Sequence, residues 1–151
     1  MDASGMALVP RVLRLAYFYD RAMQAVSRQF GLMPGWLDVL SSLRRSGAPH
    51  RMPATELARS VLLSSGGMTN RIDRMQEGGL VRRLPDPSDR RGVLVELTEK
   101  GRMVIDRAID AHLELYAQLT AVLTTSERET LIDLVRKQTL AFERTEPARS
   151  D

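Results

Sequence analysis

The chain has 151 residues, of which 43% are hydrophobic and 27% charged, with a net charge of +3 at pH 7; this is ordinary for a globular protein with room for one compact domain, or a small domain with added helices. It has no cysteine and 2 histidines, His50 and His112, far apart in sequence, which excludes disulfides and cysteine-ligated zinc, leaves no ligand-spaced cluster, and predicts neither metal nor cofactor. No apolar run approaches the ~18 residues of a membrane span, and the opening Met-Asp-Ala-Ser-Gly lacks the basic and apolar regions of a signal peptide, so the expected location is the cytoplasm.

Six helices and one hairpin account for nearly the whole chain. Val12, Leu15, Tyr19, Ala22, Val26 and Phe30 recur at three- and four-residue intervals and predict a helix from about Met6 to Phe30, stopped by Gly31. Pro34 opens a second helix through Trp36, Leu37, Val39, Leu40 and Leu43, closed by Gly47. Ala48 to Arg51 reads as a short linker, and Pro53 suits the first turn of a short third helix, Ala54 to Arg59. Ser64 and Ser65 are N-cap candidates for a fourth helix from Met68 to Glu77, with an apolar face of Met68, Ile72 and Met75 and a stop at Gly78-Gly79.

Two β-prone runs follow, Leu80 to Leu84 and Val93 to Thr98, joined by Pro85-Asp86-Pro87-Ser88-Asp89-Arg90-Arg91-Gly92. The prolines, aspartates and glycine are hairpin-loop chemistry, with Arg90 and Arg91 placed at an exposed tip. Thr98 caps a fifth helix, from about Glu99 to Leu123, on which Ile105, Ile109, His112, Tyr116, Leu119 and Leu123 form a narrow heptad-like seam. Thr124 with Glu127, or Ser126 with Glu129, offers a capping box to the last helix, striped by Leu131, Val135, Gln138 and Phe142. The first, fifth and sixth helices exceed what one small winged helix needs to close its core. They predict a dimer interface built from both chain ends, an intrachain bundle being the alternative.

A short helix, a tight connection, a polar helix and then a charged hairpin is the layout of a winged helix-turn-helix, and it points to DNA. The fourth helix carries Thr69, Asn70, Arg71, Asp73 and Arg74 on the face opposite its apolar residues. Arg, Asn and Thr are side chains that reach base edges and phosphates in a major groove. Gly66-Gly67 would let backbone approach DNA closely, and Ser64 and Ser65 could cap the helix or touch phosphate. In the hairpin, Asp89 lies two residues before Arg91, a spacing that lets the carboxylate hold the guanidinium extended for a minor groove, with Arg90 beside it. Of Arg82 and Arg83 at the hairpin base, one should face phosphate. Twenty of the 22 basic residues are Arg, which gives bidentate contacts that Lys does not. No nucleophile–base pair or phosphate-binding glycine loop supports an enzyme, and a winged helix used for protein contact would call for a neutral or acidic face.

Glu56-Leu57-Ala58, the run Met68 to Met75, Gly79-Leu80-Val81, Asp89-Arg90-Arg91-Gly92-Val93 and Leu97-Thr98-Glu99-Lys100-Gly101 resemble the MarR family of bacterial transcription regulators over roughly residues 8 to 144. The resemblance implies a mainly α fold with a small β-hairpin wing in one domain over 1–151. Its winged helix-turn-helix would be about 35–99, flanked by dimerisation helices at about 6–30 and 100–144. It further implies a homodimer, usually a repressor, on a palindromic promoter site, released by a small aromatic or anionic ligand. By that match Arg91 is the wing arginine and Asp89 its partner, and Ser65, Thr69, Asn70, Arg71 and Arg74 fall on the recognition helix. The family's ligand cleft lies between the dimerisation helices and the winged helix. Arg14, Tyr17, Trp36, His112 and Tyr116 could line it, with rings for stacking and Arg or His for a carboxylate. Core or interface packing is the other reading of Trp36 and Tyr116, and an interface hydrogen bond the other reading of His112.

Overall fold

The computed structural model describes residues 4–61 and 65–145, without the side chains of Ser4, Ser65, Arg90 and Arg91. In chain order the elements are α1 (Ser4–Gln29), α2 (Trp36–Arg45), β1 (Arg51–Pro53), α3 (Ala54–Ser60), α4 (Ser65–Glu77), β2 (Val81–Asp86), β3 (Asp89–Leu97), α5 (Glu99–Leu119) and α6 (Thr125–Glu143). The chain divides into two compact units, one to Leu113 and one from Glu114. The fold is mainly helical with a small antiparallel sheet, as the residue pattern predicts.

Glycine ends the helices as expected. At the end of α1, Gly31 takes φ +70°, its N–H donates to the Arg28 carbonyl and that of Leu32 to Ser27, the paired bonds of a left-handed C-terminal cap. The same pattern ends α4: Gly79 has φ +70°, with Gly79 N–H donating to Gln76 and Leu80 N–H to Met75. Leu32 and Leu80, just past each cap, are buried.

The core of the first unit is aliphatic and Met-rich. Val39, Leu40 and Leu43 of α2, Leu57 of α3, Met68, Ile72 and Met75 of α4, Val81 and Val95 of the sheet, and Ile105 and Ala108 of α5 are buried together, with Phe30 and Trp36 packed against them partly covered. Each fully buried Leu, Ile or Met side chain stabilises by about 1.5–3 kcal/mol. Arg44 of α2 donates to Asp106 of α5 at 2.6 Å, and Ser27 of α1 meets His112 Nε2 of α5 at 3.1 Å. The first half of the α5 seam is therefore satisfied within the chain, where sequence spacing left an interchain partner open.

Several boundaries move. Pro34 does not open α2: it sits in a turn closed by Trp36 N–H on the Met33 carbonyl at 3.0 Å, and Gly35, at φ +76°, precedes the helix. Pro53 precedes α3 rather than entering it. The linker ends in a strand, β1, at the edge of a three-stranded sheet of order β1-β3-β2. Arg51, Met52 and Pro53 face Glu96, Val95 and Leu94, and an edge is where a sheet tolerates proline. α4 begins one turn earlier than Met68, so Gly66 and Gly67 lie inside its first turn; Ser65 is helical and does not precede the helix as a cap. Ser64 lies outside the described residues. α5 stops at Leu119 rather than Leu123.

The second unit holds the end of α5, a turn and α6. Thr124 caps α6: it accepts from the Glu127 N–H at 3.3 Å, while the Glu127 carboxylate accepts from the Thr124 N–H at 2.8 Å. This is the first of the two capping boxes the sequence offered. The Thr124 N–H and the Thr124 hydroxyl, which donates to the same carboxylate at 2.8 Å, lower the Glu127 pKa.

Candidate nucleic-acid interface

α4 splits cleanly by face. Met68, Ile72 and Met75 are buried, while Gly66, Gly67, Thr69, Asn70, Asp73 and Arg74 are exposed. Of the five polar positions expected outward, Arg71 is the exception. It is half-buried and donates to the Gly35 carbonyl at 3.1 Å, so its guanidinium ties α4 to the turn before α2 instead of projecting from the outer face. Gly35 is called for by its φ of +76°, which L side chains rarely adopt, and a Cβ there would also push the Arg71 guanidinium aside. Beside it is an open cleft of about 470 Å³ lined by Trp36, Gly66, Gly67, Asn70, Arg71 and Arg74, among others.

The wing is longer than the sequence reading allowed. β2 and β3 run past the expected loop, leaving only Pro87 and Ser88 between them. Asp86 accepts from the Ser88 backbone N–H at 2.8 Å and from its hydroxyl at 2.6 Å, which closes the tip and lowers the Asp86 pKa. Pairing runs Pro85↔Val93 and then Asp86↔Asp89. Arg90, Arg91 and Gly92 are thus extra residues on β3, with no counterpart on β2, rather than the tip of a turn. Gly92 is required there, because a Cβ would lie 2.9 Å from the Asp86 Cβ and 3.0 Å from that of Asp89. Asp89 is exposed; the side chains of Arg90 and Arg91, and with them the expected Asp89–Arg91 pair, lie outside the described side chains.

The two arginines at the wing's base go to opposite faces, as successive strand residues must. Arg82 lies opposite Glu96 and donates to its carboxylate through Nε at 3.0 Å and through Nη2. That carboxylate is only 9% exposed and also has Arg51 at 3.9 Å. Arg82, expected at phosphate, is therefore committed in part to Glu96, although its side chain stays 61% exposed. Arg83 turns to α4, where it bonds Asp73 and the Thr69 carbonyl at 3.3 Å. Neither Glu96 nor the Arg83–Asp73 tie was picked out from sequence; strand alternation through the adjacent arginines was the available signal.

The base of the wing is also where α5 begins. The Thr98 hydroxyl donates to the Gly79 carbonyl at 2.7 Å and accepts from the Gly101 N–H at 2.9 Å. Lys100 Nζ donates to the Gly78 carbonyl at 2.7 Å. A Cβ on Gly101 would lie 1.9 Å from the Leu80 carbonyl oxygen. The run Leu-Thr-Glu-Lys-Gly is thus a docking joint between α5 and the turn after α4.

The five ligand candidates have different surroundings. Arg14 and Tyr17 stand on exposed α1 surface, Arg14 over the Phe18 ring and Tyr17 edge-on to it. His112 is buried on Ser27, its pKa lowered by burial and partly restored by Asp38. Tyr116 belongs to the second unit and is 41% exposed. Trp36 lines the cleft beside α4, whose lining includes none of the other four. Among the described residues no cluster of His, Asp or Glu could hold a metal, and no helix is long and apolar enough to cross a membrane.

Known proteins share this arrangement. A sequence model of the MarR family matches residues 30–92. The transcriptional regulator PecS of Dickeya dadantii is 31% identical over 114 residues, covering 76% of this chain and 69% of PecS. The multiple antibiotic resistance protein MarR of Escherichia coli is 31% identical over 119 residues, covering 78% of this chain and 81% of MarR. A crystal structure of mutant MarR from E. coli complexed with operator DNA superposes with a TM-score of 0.78 at 28% identity, over 91% of this chain and 98% of that one. AbsC, a MarR family regulator from Streptomyces coelicolor, shares the fold with a TM-score of 0.86 at 23% identity, over 97% and 98% of the two chains. Together with the polar recognition helix, the bulged wing and the joint at Gly101, these likenesses place the chain: it belongs to the MarR family of winged helix-turn-helix transcriptional regulators.

Proposed function

We propose that the chain acts in the cytoplasm as a homodimeric, sequence-specific DNA-binding repressor of a palindromic promoter site, released by a small aromatic or anionic ligand. The observation that carries the DNA reading is the outer face of α4, Thr69, Asn70 and Arg74 over a fully apolar inner face, next to a wing whose extra residues are Arg90, Arg91 and Gly92. α4 would read a major groove and Arg91 a minor groove. The operator-bound MarR structure supports the same use of this fold. The effector arm rests on chemistry: the cleft at Trp36 offers a ring and the guanidinium group of Arg74 to an aromatic anion. Such a ligand would shift the molecule only by binding one arrangement of the recognition helices better than the other.

The test is selection of bound fragments from genomic DNA, followed by binding at several salt concentrations. Affinity should fall steeply with salt from released counterions. Arg91→Ala should weaken the selected site by about tenfold, the loss of one good groove contact, and benzoate should release the fragment. Failure to select any fragment, or a flat salt titration, overturns the DNA reading; a complex indifferent to benzoate and related aromatic acids overturns the effector arm alone.

A further inference from the structure

We propose that Arg83 is a positioning residue that sets the spacing between wing and recognition helix, and not a contact to DNA; the consequence for binding rests on the DNA reading above. Among the described residues, the side-chain hydrogen bonds that join β2 to α4 are both made by Arg83, one to the Asp73 carboxylate and one to the Thr69 carbonyl. Its side chain is 30% exposed, half the value of its neighbour Arg82. The fork of the guanidinium spans two points of α4 one turn apart, which fixes an angle as well as a distance.

Two consequences follow from where the tie sits. Beyond it the wing is a two-stranded ribbon with an exposed tip, an element that is marginal on its own and needs an anchor to hold a direction. Asp73 stands on the same outer face of α4 as Asn70 and Arg74, and the bond from Arg83 holds its carboxylate in one place beside them. A duplex must meet α4 in one groove and the wing in the next, so the tie matters only where both engage together. Loose, phosphate-driven binding to unrelated duplex is insensitive to it.

The experiment uses the full chain in two measurements, amide hydrogen exchange of the free protein and competition binding to the selected fragment and to an unrelated duplex across a salt series. Arg83→Gln and Asp73→Asn should each speed exchange over residues 83–95. The charge-swapped pair Asp73→Arg with Arg83→Asp should recover protection there. Each single variant should weaken the selected fragment by about three- to tenfold, the range of one coupled contact, with the salt slope and the unrelated-duplex affinity unchanged. The proposal is overturned if Arg83→Gln lowers the salt slope by about one and weakens both duplexes alike, the mark of a lost phosphate contact. It is equally overturned if wing exchange does not respond. Should the wild-type chain select no fragment, the DNA reading fails, and the exchange data still decide whether Arg83 holds the wing.

Discussion

Arg71 and Arg74 lie three positions apart on one helix and have different tasks. Arg74 is exposed on the outer face of α4, whereas Arg71 is spent on the Gly35 carbonyl. Periodicity places both on the polar side, because three residues on a helix return within a sixth of a turn; only the neighbouring α2 turn separates them. His112 shows the same limit. Its place on the seam was readable, and its partner, Ser27, is 85 residues away. Burial lowers its pKa from the ordinary value of 6.5, so the folded state accepts the neutral ring and the unfolded chain takes up the proton first as pH falls. The stability this site contributes is whole above pH 6.5 and drains away below it. In urea unfolding across pH 5–8, the wild-type chain should lose stability relative to His112→Gln as pH drops from about 6.5 to about 5. A wild-type-to-variant difference that stays constant with pH would refute this.

Glycines at element junctions separate by what surrounds them. Gly101 and Gly66 are both helical, and propensity alone would call for alanine at either. At Gly101 a methyl group collides with the Leu80 carbonyl; at Gly66 it meets nothing within 4 Å. Gly101→Ala should therefore destabilise by about 1–3 kcal/mol while Gly66→Ala stabilises by about 0.4–1 kcal/mol, both read from urea midpoints at unchanged slope. Equal effects would mean that the joint between α5 and the Gly79-Leu80 turn yields freely. β1 was missed because three residues are too few for an alternating pattern, and Pro53 argues against a strand unless the strand lies at an edge. The wing's reach was misjudged for a related reason: Asp86 and Asp89 are turn-forming residues by composition, yet they pair across the ribbon because Pro87-Ser88 alone close it.

Across the whole molecule, apolar surface remains uncovered on both terminal helices. Leu8, Val12, Tyr17 and Phe18 of α1, and Ile132, Leu134, Val135 and Phe142 of α6, are each half exposed or more, and no residue of α6 is buried. Large apolar side chains left open along a helix in this number mark an association surface on each of the two helices, and a second copy of the chain fits a reading of two half-sites one duplex turn apart. Sedimentation should give a dimer at micromolar concentration. Ile132→Glu with Val135→Glu should give monomers that keep the winged helix's circular dichroism and bind the selected fragment about a hundredfold more weakly, the loss of bivalent engagement. A monomeric wild-type chain, or a glutamate variant that remains dimeric, rules this interface out.

Local spacing was sufficient for the presence of the helices, their glycine stops, the cap at Thr98, the split face of α4 and the presence of a charged hairpin. Each is written in residues within a few positions of one another, where backbone geometry leaves little choice. The destinations of Arg71, Arg82, Arg83 and His112 were settled only in the folded chain, as was the edge strand at Arg51. A long polar side chain satisfies its hydrogen bonds with whatever carbonyl or carboxylate packing delivers, and those partners come from distant elements or from the facing strand.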